Sequence, residues 1–151
     1  MKINGDWLAG FIDGEGSFNI SHHGGNYQPR FSLKLRDDDS NILKDIQIFV
    51  GTGTLRASKC SPTNSKYYSP NAKNQFRYDI TGSNNTKLVS ILDQFPLKSK
   101  KLRDYKFWKE AVGIYSESLF NRWTNSDLKK DRNNKLLVLK TNMEEVRKYH
   151  E

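Results

Sequence analysis

A carboxylate and two glycines near the N-terminus are the residues whose types and spacing are best suited to chemistry. Residues 7–18 read as a short helix on which Gly10 and Gly14 share one side, with Asp13 beside Gly10 and Glu15 at the end. Glycine in a helix interior costs up to about 1 kcal/mol relative to alanine. We therefore expect another backbone to come very close to this side of the helix, which places Glu15 at the bottom of the contact.

Residues 8–16 of this segment resemble the nine-residue signature of LAGLIDADG homing endonucleases. The identical positions are Leu8, Ala9, Gly10, Asp13 and Gly16, and the other four hold variants that the family uses. The resemblance implies an α+β fold of element order αββαββα, in which helices cover one face of a four-stranded antiparallel sheet. A small amphipathic helix with a solvent-facing Glu15 is the alternative interpretation of the segment alone.

The rest of the chain contains the elements that this order requires. Apolar and polar residues alternate in four predicted strands, at 18–21, 30–36, 54–59 and 75–80. Helical spacing predicts helices at 41–49, 87–94, 102–120 and 135–149, with polar connections at 60–74 and 121–134. We therefore expect one domain over residues 1–151, with a core of about 6–101 that resembles the family and a C-terminal helical part of about 102–151.

Turns, caps and inward-facing residues follow from the same patterns. Residues 22–26 are predicted to form a turn. The expected N-caps are Asp6 for the first helix, residues 37–40 for the second and Asn85 or Thr86 for the third. In the second helix, Ile42, Leu43, Ile46 and Phe49 are expected to face the core.

The charge balance favours a polyanion as partner. The 151 residues include 25 Lys and Arg against 17 Asp and Glu, a net charge of +8. No apolar run approaches the roughly 20 residues that span a bilayer, and the residues before the motif are too few and too polar for a signal peptide. Cys60 is the single cysteine, which excludes an internal disulfide and a cysteine-rich zinc site. Because neither a membrane span nor a signal peptide is expected, we predict an intracellular protein without a membrane partner. Abundant Asn, Lys and Ile indicate an AT-rich genome, so we expect the protein to be encoded by an organelle, a phage or a low-GC microbe.

One face of the predicted sheet is suited to double-stranded DNA. Its outward positions mix Arg and Lys with amide and hydroxyl side chains, which are the groups that contact phosphates and base edges. The predicted DNA-binding residues of the strands are Asn19, Ser21, Arg30, Ser32, Lys34, Arg36, Arg56, Ser58, Gln75, Arg77 and Asp79. His23, Lys73 and Lys98 are expected to add contacts from neighbouring loops. An ordinary solvated sheet face is the alternative.

Glu15 is the predicted metal ligand, together with Gly14. Hydrolysis of a phosphodiester needs an activated water and a stabilised leaving oxygen, and Mg²⁺ or Mn²⁺ held by a carboxylate provides both. One carboxylate per chain is too few for a two-metal site, and the family resemblance implies a homodimer whose motif helices pack together. Two Glu15 carboxylates about 4 Å apart would repel by roughly 4 kcal/mol at an effective dielectric constant near 20, which a divalent ion relieves.

The interface of that homodimer is predicted at Trp7, Gly10, Asp13 and Gly14. Asp13 is a weaker candidate for metal binding than Glu15. Because it shares the helix face with Gly10, it either contacts the partner helix or binds a backbone amide.

Two further catalytic residues are implied by the resemblance. Related endonucleases place a basic residue near the scissile phosphate in the region of Lys100, for which Lys98 is the alternative; both also fit simple phosphate contacts. The family often has a polar residue near the nucleophilic water at the end of the second strand, where this chain has Asp37, Asp38 and Asp39. We choose Asp37, although helix capping explains these acids equally well.

Together these features predict an intron-encoded homing endonuclease that cuts a long pseudo-palindromic DNA site. The resemblance implies a homodimer that makes Mg²⁺-dependent double-strand breaks with short 3′ overhangs. Two alternatives share the fold: a maturase that binds its intron RNA, and a DNA-binding protein that does not cleave.

Overall fold

The computed structural model describes residues 1–58, 74–120 and 126–148. Its elements are helix α1 (Gly5–Glu15), strands β1 (Ser17–His23) and β2 (Asn26–Arg36), helix α2 (Ser40–Val50), strands β3 (Thr54–Ser58) and β4 (Gln75–Thr81), and helices α3 (Asn85–Gln94), α4 (Lys101–Phe120) and α5 (Ser126–Lys148). Short 3₁₀ turns, Asp37–Asp39 and Gly82–Asn84, precede α2 and α3. None of the helices in these ranges is long and apolar enough to cross a membrane.

The four strands form one antiparallel sheet with the order β1-β2-β4-β3. Apolar residues on neighbouring strands are paired in register, as in Phe18 with Phe31 and Leu33 with Tyr78. All four of these side chains are buried, because successive residues of a strand point to opposite faces and the apolar face is covered by helices. The predicted α+β fold, with helices on one face of a four-stranded antiparallel sheet, is confirmed.

The N-cap of helix α1 lies two residues before the predicted one. Asn4, not Asp6, is the N-cap, and its side-chain oxygen accepts a hydrogen bond of 2.8 Å from the amide of Trp7. Gly16 ends the helix, where a Cβ would lie only 2.8 Å from the carbonyl oxygen of Ile12. Since Ile12 is fully buried and cannot shift easily, the glycine keeps the chain close to the helix as it turns into β1.

The β1–β2 hairpin is longer than the sequence pattern predicts. Its turn is reduced to Gly24 and Gly25, which have φ values of 57° and 79°. Glycine adopts positive φ without steric cost, so two glycines suffice to reverse the chain. Residues 22 and 23 therefore extend β1, and 26–29 extend β2.

The structure also differs from the predicted caps of α2 and α3 and from the predicted inward-facing residues of α2, because of tertiary packing. Asn85 does not cap α3: it is fully buried, and its side-chain amide donates to the carbonyl oxygens of Pro29, Ile80 and Gly82. Asp39 occupies the N-cap position of α2 without a side-chain cap hydrogen bond. In α2, Phe49 is 39% exposed, because Val50 occupies the inward position at the end of the helix.

The apolar core extends past residue 101, the expected end of the family-like part. Trp108 of α4 is fully buried, its ring centroid lies 4.9 Å from that of Phe18, and its Nε1 donates to the carbonyl oxygen of Arg30. Helix α5 adds Leu136, Leu139 and Met143 to the same core. Part of the predicted polar connection before it is helical, from Ser126 onward.

The polar start of α5 is helical because it docks on the hairpin. The Oδ1 atom of Asn133 accepts a hydrogen bond from the amide of Tyr27, and its Nδ2 donates to the carbonyl oxygen of Gly25. These contacts join residues more than 100 positions apart, so local apolar spacing cannot predict them.

We expect Trp108→Ala to lower the free energy of unfolding by about 3–5 kcal/mol, the usual cost of a large aromatic truncation in a core. Val138→Ala on α5 is the matched control and should change it by less than about 0.5 kcal/mol, since Val138 is 59% exposed. Urea unfolding followed by far-UV circular dichroism measures both. A loss below about 1 kcal/mol for Trp108→Ala would mean that α4 does not belong to the core.

Candidate active site and nucleic-acid interface

The end of α1 presents an unpaired carboxylate next to a helix surface that the chain itself leaves open. Glu15 is exposed, and its side chain accepts no hydrogen bond from the part of the chain that the structure describes. A Cβ built on Gly10 or Gly14 would have no packing neighbour within 4 Å among the residues that the structure describes. The packing of a single chain therefore does not require glycine at these positions, although each costs up to about 1 kcal/mol of helix propensity.

Four hydrogen bonds, two in each direction, join the end of α1 to the start of α4. The Asp13 carboxylate accepts hydrogen bonds from the amides of Lys98 (2.8 Å) and Ser99 (3.1 Å). In the other direction, Lys101 Nζ donates to the carbonyl oxygens of Gly14 (2.9 Å) and Ile12 (3.2 Å). A cation on the last carbonyls of a helix is favoured by the helix dipole. We call these four hydrogen bonds the α1–α4 clamp; they hold residues 98–101 against the end of α1.

Both side chains of the α1–α4 clamp have shifted pKa values. Burial by itself raises the pKa of Asp13, but hydrogen bonds from Ser99 and Lys98 and the charge of Lys101 outweigh it, so the pKa lies below the ordinary value. Burial lowers the pKa of Lys101, while the charges of Glu15, Asp13 and Asp104 oppose that effect without cancelling it. The carboxylate form of Asp13 is therefore the one that the fold stabilises.

Lys100, the predicted catalytic lysine, and Lys98, its alternative, lie on this segment, and a third lysine makes the contact with α1. Lys98 and Lys100 are exposed in the segment just before α4. Lys101 was not among the predicted site residues, although its side chain binds the turn that carries Glu15. Three lysines within four positions offer no sequence signal for the one that turns inward; only the packing of α4 decides it.

Asp37 is not joined to Glu15 within one chain. Ser17, at the start of β1, pairs with Ser32, whereas β2 continues to Arg36, a further four residues or about 13 Å along the strand. The amide of Asp37 donates to the carbonyl oxygen of Asn74 at that far end. Its role near a nucleophilic water remains a prediction.

The described residues of one chain do not by themselves form a metal site. Among the residues in the described ranges, no three His, Cys, Asp or Glu side chains are grouped closely enough to hold a metal ion. Glu15 offers a hard oxygen ligand of the kind that Mg²⁺ prefers. The Gly14 carbonyl oxygen already accepts Lys101, which leaves it one further lone pair. The donor set fits Mg²⁺ if a second carboxylate joins Glu15.

The sheet face opposite the helices has the predicted polar composition. It is lined by Asn19, Ser21, His23, Arg30, Ser32, Lys34, Arg36, Arg56, Ser58, Gln75, Arg77 and Asp79. Gln28, Thr54 and Thr81 lie on the same face and were not predicted. Gln28 was missed because the pattern started β2 at residue 30. Lys73 lies outside the described residues.

Three cations of this face lie in one row across the sheet. Arg77 in β4 is paired in register with Lys34 in β2 on one side and with Arg56 in β3 on the other. Like charges directly opposite one another destabilise a sheet. A row of three therefore suggests that the face meets a polyanion, which offsets the repulsion.

Asp79 differs from its neighbours on this face, because its side chain is only 4% exposed. Its Oδ1 atom accepts hydrogen bonds from Arg30 Nε (3.1 Å) and Arg77 Nε (2.8 Å). The two arginines therefore cover Asp79, and direct contact of its carboxylate with DNA stays a prediction.

The chain is similar in sequence to known proteins. A family model described as LAGLIDADG endonuclease matches residues 8–112. The probable intron-encoded endonuclease Cox1-I1b of Schizosaccharomyces pombe is 30% identical over 148 residues, which cover 95% of this chain and 34% of that protein. The chain thus spans about a third of the length of this curated relative.

Solved structures have the same fold. The LAGLIDADG meganuclease I-AabMI, crystallised with uncleaved DNA, is 31% identical with a TM-score of 0.68, over 91% of this chain and 44% of that one. The homing endonuclease I-TnaI is similar in fold, with 22% identity, a TM-score of 0.71 and coverage of 98% of this chain and 96% of that one.

We expect Asp13→Asn to lower the free energy of unfolding by about 1 kcal/mol at pH 7, because an amide cannot accept from both backbone donors as a carboxylate does. Since the folded pKa of Asp13 lies below the unfolded one, its stabilisation is complete above an unfolded pKa of 3.8 and is lost as the pH falls through the folded value.

Urea unfolding of Asp13→Asn and wild type between pH 7 and pH 2.5 measures this difference. Asp131→Asn, which removes an exposed ion pair with Lys135 on α5, is the control and should cost no more than about 0.5 kcal/mol. A difference between wild type and Asp13→Asn that grows on acidification would contradict the assignment.

Proposed function

This chain belongs to the LAGLIDADG endonuclease family, and we propose that it is a site-specific homing endonuclease that cuts both strands of double-stranded DNA as a homodimer. The observation that carries the proposal is the unpaired Glu15 carboxylate at the end of a helix whose Gly10 and Gly14 side is open. The α1–α4 clamp, which holds Lys98 and Ser99 at the same end of α1, supports this role.

The uncovered sheet face is the proposed DNA-binding surface. Its Arg and Lys side chains suit phosphates and guanine, and its Asn and Gln side chains suit adenine. A twisted sheet also follows the major groove, where base pairs are most readily distinguished. The structure of I-AabMI with uncleaved DNA supports the same partner for this chain.

A second copy of the chain is the proposed partner of α1. Close approach along Gly10 and Gly14 uses the space that a single copy leaves open, with Trp7 and Asp13 at the edges of the contact. The chain matches less than half of I-AabMI, so two copies provide a comparable DNA-binding surface. Two related half-sites then give a pseudo-palindromic target.

In this dimer the two Glu15 side chains hold Mg²⁺ or Mn²⁺, with the Gly14 carbonyl as a further oxygen donor. When bound, the ion supplies an activated water and stabilisation of the leaving oxygen. Lys101 fixes the last turn of α1, so that Glu15 faces the scissile phosphate. Lys100, or Lys98 in its place, stabilises the developing negative charge, and Asp37 orients water at the end of β2. We expect cleavage to leave short 3′ overhangs.

The reading frame itself is proposed to lie in an intron. The relative from Schizosaccharomyces pombe is named as intron-encoded, which supports this origin. Insertion of an intron at a DNA site explains why such a frame would encode an enzyme specific for one long sequence.

We expect Glu15→Gln to lower the rate of Mg²⁺-dependent cleavage by more than about 100-fold, since even residues behind a metal ligand change metal affinity or activity by about 10- to 100-fold. Affinity for the same DNA in metal-free buffer should change little, because Glu15 lies outside the sheet. The substrate is a duplex selected by the wild-type protein from a randomised library.

Glu110→Gln is the control for this variant, because Glu110 is exposed on α4 and the substitution changes the charge equally. It should cleave at the wild-type rate. Wild-type cleavage by Glu15→Gln would show that the catalytic assignment is wrong.

We expect Gly10→Leu and Gly14→Leu to prevent dimer formation while the monomer keeps its fold, since a Cβ at either position has no packing neighbour within 4 Å among the described residues. Sedimentation velocity gives the oligomeric state, and far-UV circular dichroism checks the fold. Double-strand cleavage should be lost in both variants.

Gly113→Leu is the matched control, because Gly113 is an equally open glycine on α4. This variant should remain dimeric and active. A wild-type protein that cuts both strands as a stable monomer would rule out the proposed dimer.

A further inference from the structure

The outer sheet face contains one pair of arginines whose orientation is set by a buried carboxylate. We propose that Asp79 is a positioning residue that directs Arg30 and Arg77 at two neighbouring guanines in each half-site. This inference rests on the proposed function, because it concerns how the same sheet face selects its DNA sequence.

The contacts of Asp79 occupy one edge of each guanidinium group. Arg30 approaches Asp79 Oδ1 through both Nε and Nη2, at 3.1 Å each. Arg77 donates to the same oxygen from Nε at 2.8 Å, and its Nη2 donates to Ser32 Oγ at 3.3 Å. Within the described residues, Nη1 of either arginine has no hydrogen-bond acceptor.

Within the described residues, only one carboxylate oxygen of Asp79 accepts hydrogen bonds. Oδ2 is buried and has no hydrogen-bond donor in the described part of the chain, so the carboxylate acts on its surroundings through Oδ1. A side chain with 4% exposure is too deep to reach a base edge itself. Arg30 and Arg77 are 28% and 37% exposed, and therefore remain accessible.

The free edges of the two arginines match guanine. Guanine presents two acceptors in the major groove, O6 and N7, whereas adenine presents one acceptor and one donor there. An arginine held at its Nε edge offers its terminal nitrogens to such a pair of acceptors. Lys34 and Arg56 are exposed and make no comparable contact in the described residues, so they suit phosphates, which accept from any direction.

The spacing of the pair predicts adjacent positions in the DNA. Both Nε atoms lie within 3.1 Å of Oδ1, so the two guanidinium groups are close together. They address base pairs that are neighbours in the duplex, where the rise per base pair is about 3.4 Å. Within the described residues, the Ser32 hydroxyl accepts a hydrogen bond from Arg77 and not from Arg30, so a change at Ser32 distinguishes the two arginines.

The test is selection of binding sites from a randomised duplex library in buffer without divalent ions, followed by competition with duplexes in which single guanines are replaced. For wild type we expect two neighbouring guanines per half-site, one lost in Arg30→Ala and the other in Arg77→Ala, with about 10- to 100-fold discrimination at each. Asp79→Asn should lower discrimination at both positions by about 10-fold. Its affinity for random duplex should be equal or higher, because the variant loses a negative charge.

Two further variants separate positioning from charge and from folding. Asp93→Asn makes the same change in charge at the Lys109 ion pair, away from the sheet face, and should keep both guanine preferences. Ser32→Ala should weaken the preference only at the Arg77 position. It keeps the test decisive if Asp79→Asn does not fold, because Asp79 and both arginines are unchanged.

The outcomes distinguish this inference from the function on which it rests. A wild-type protein that selects no sequence overturns the proposed function, and the inference with it. A selected site without guanines that depend on Arg30 and Arg77 overturns only the inference. The same holds if Asp79→Asn or Ser32→Ala leaves every preference unchanged, or lowers affinity equally for all sequences, as a phosphate contact would.

Discussion

The α1–α4 clamp is the interaction on which the rest of the site depends. Asp13 accepts the amides of the two residues Lys98 and Ser99 before α4, and Lys101 donates to the carbonyls that end α1, so the two helix ends are tied together. The exposed Glu15 is thereby held at a fixed place without a hydrogen bond of its own. A carboxylate kept in position but left unpaired is available to a metal ion, which a paired one is not.

The covered face of the sheet carries packed apolar side chains, whereas the uncovered face carries like charges. On the inner face, Phe18, Phe31 and Trp108 pack together and bring α4 into the core. On the outer face, Lys34, Arg77 and Arg56 are placed side by side although they repel one another. The stability of the apolar layer lets the polar layer keep a charge pattern that suits a nucleic acid rather than the folded chain alone.

Residue patterns predicted most of the fold and the members of the outer face, but not their arrangement. The alternation at 30–36 was enough to assign Arg30, Ser32 and Lys34 to one face, since a strand has a period of two. It could not predict that Asp79 lies beneath two arginines, because that depends on the pairing of β2 with β4. For the same reason the sequence predicted that Asp37 lies at the end of β2 but could not predict its distance from Glu15.

The sequence by itself determined the motif helix, the order of helices and strands along the chain and the single Glu15 that ends α1, because spacing and residue type are local properties. Only the tertiary structure decided that Asn4 caps α1, that Asp13 binds backbone amides and that Lys101, rather than its neighbours, reaches the end of that helix. Each of the latter two joins residues more than 80 positions apart. Such contacts form when helices and sheet pack, and no periodicity along the chain encodes them.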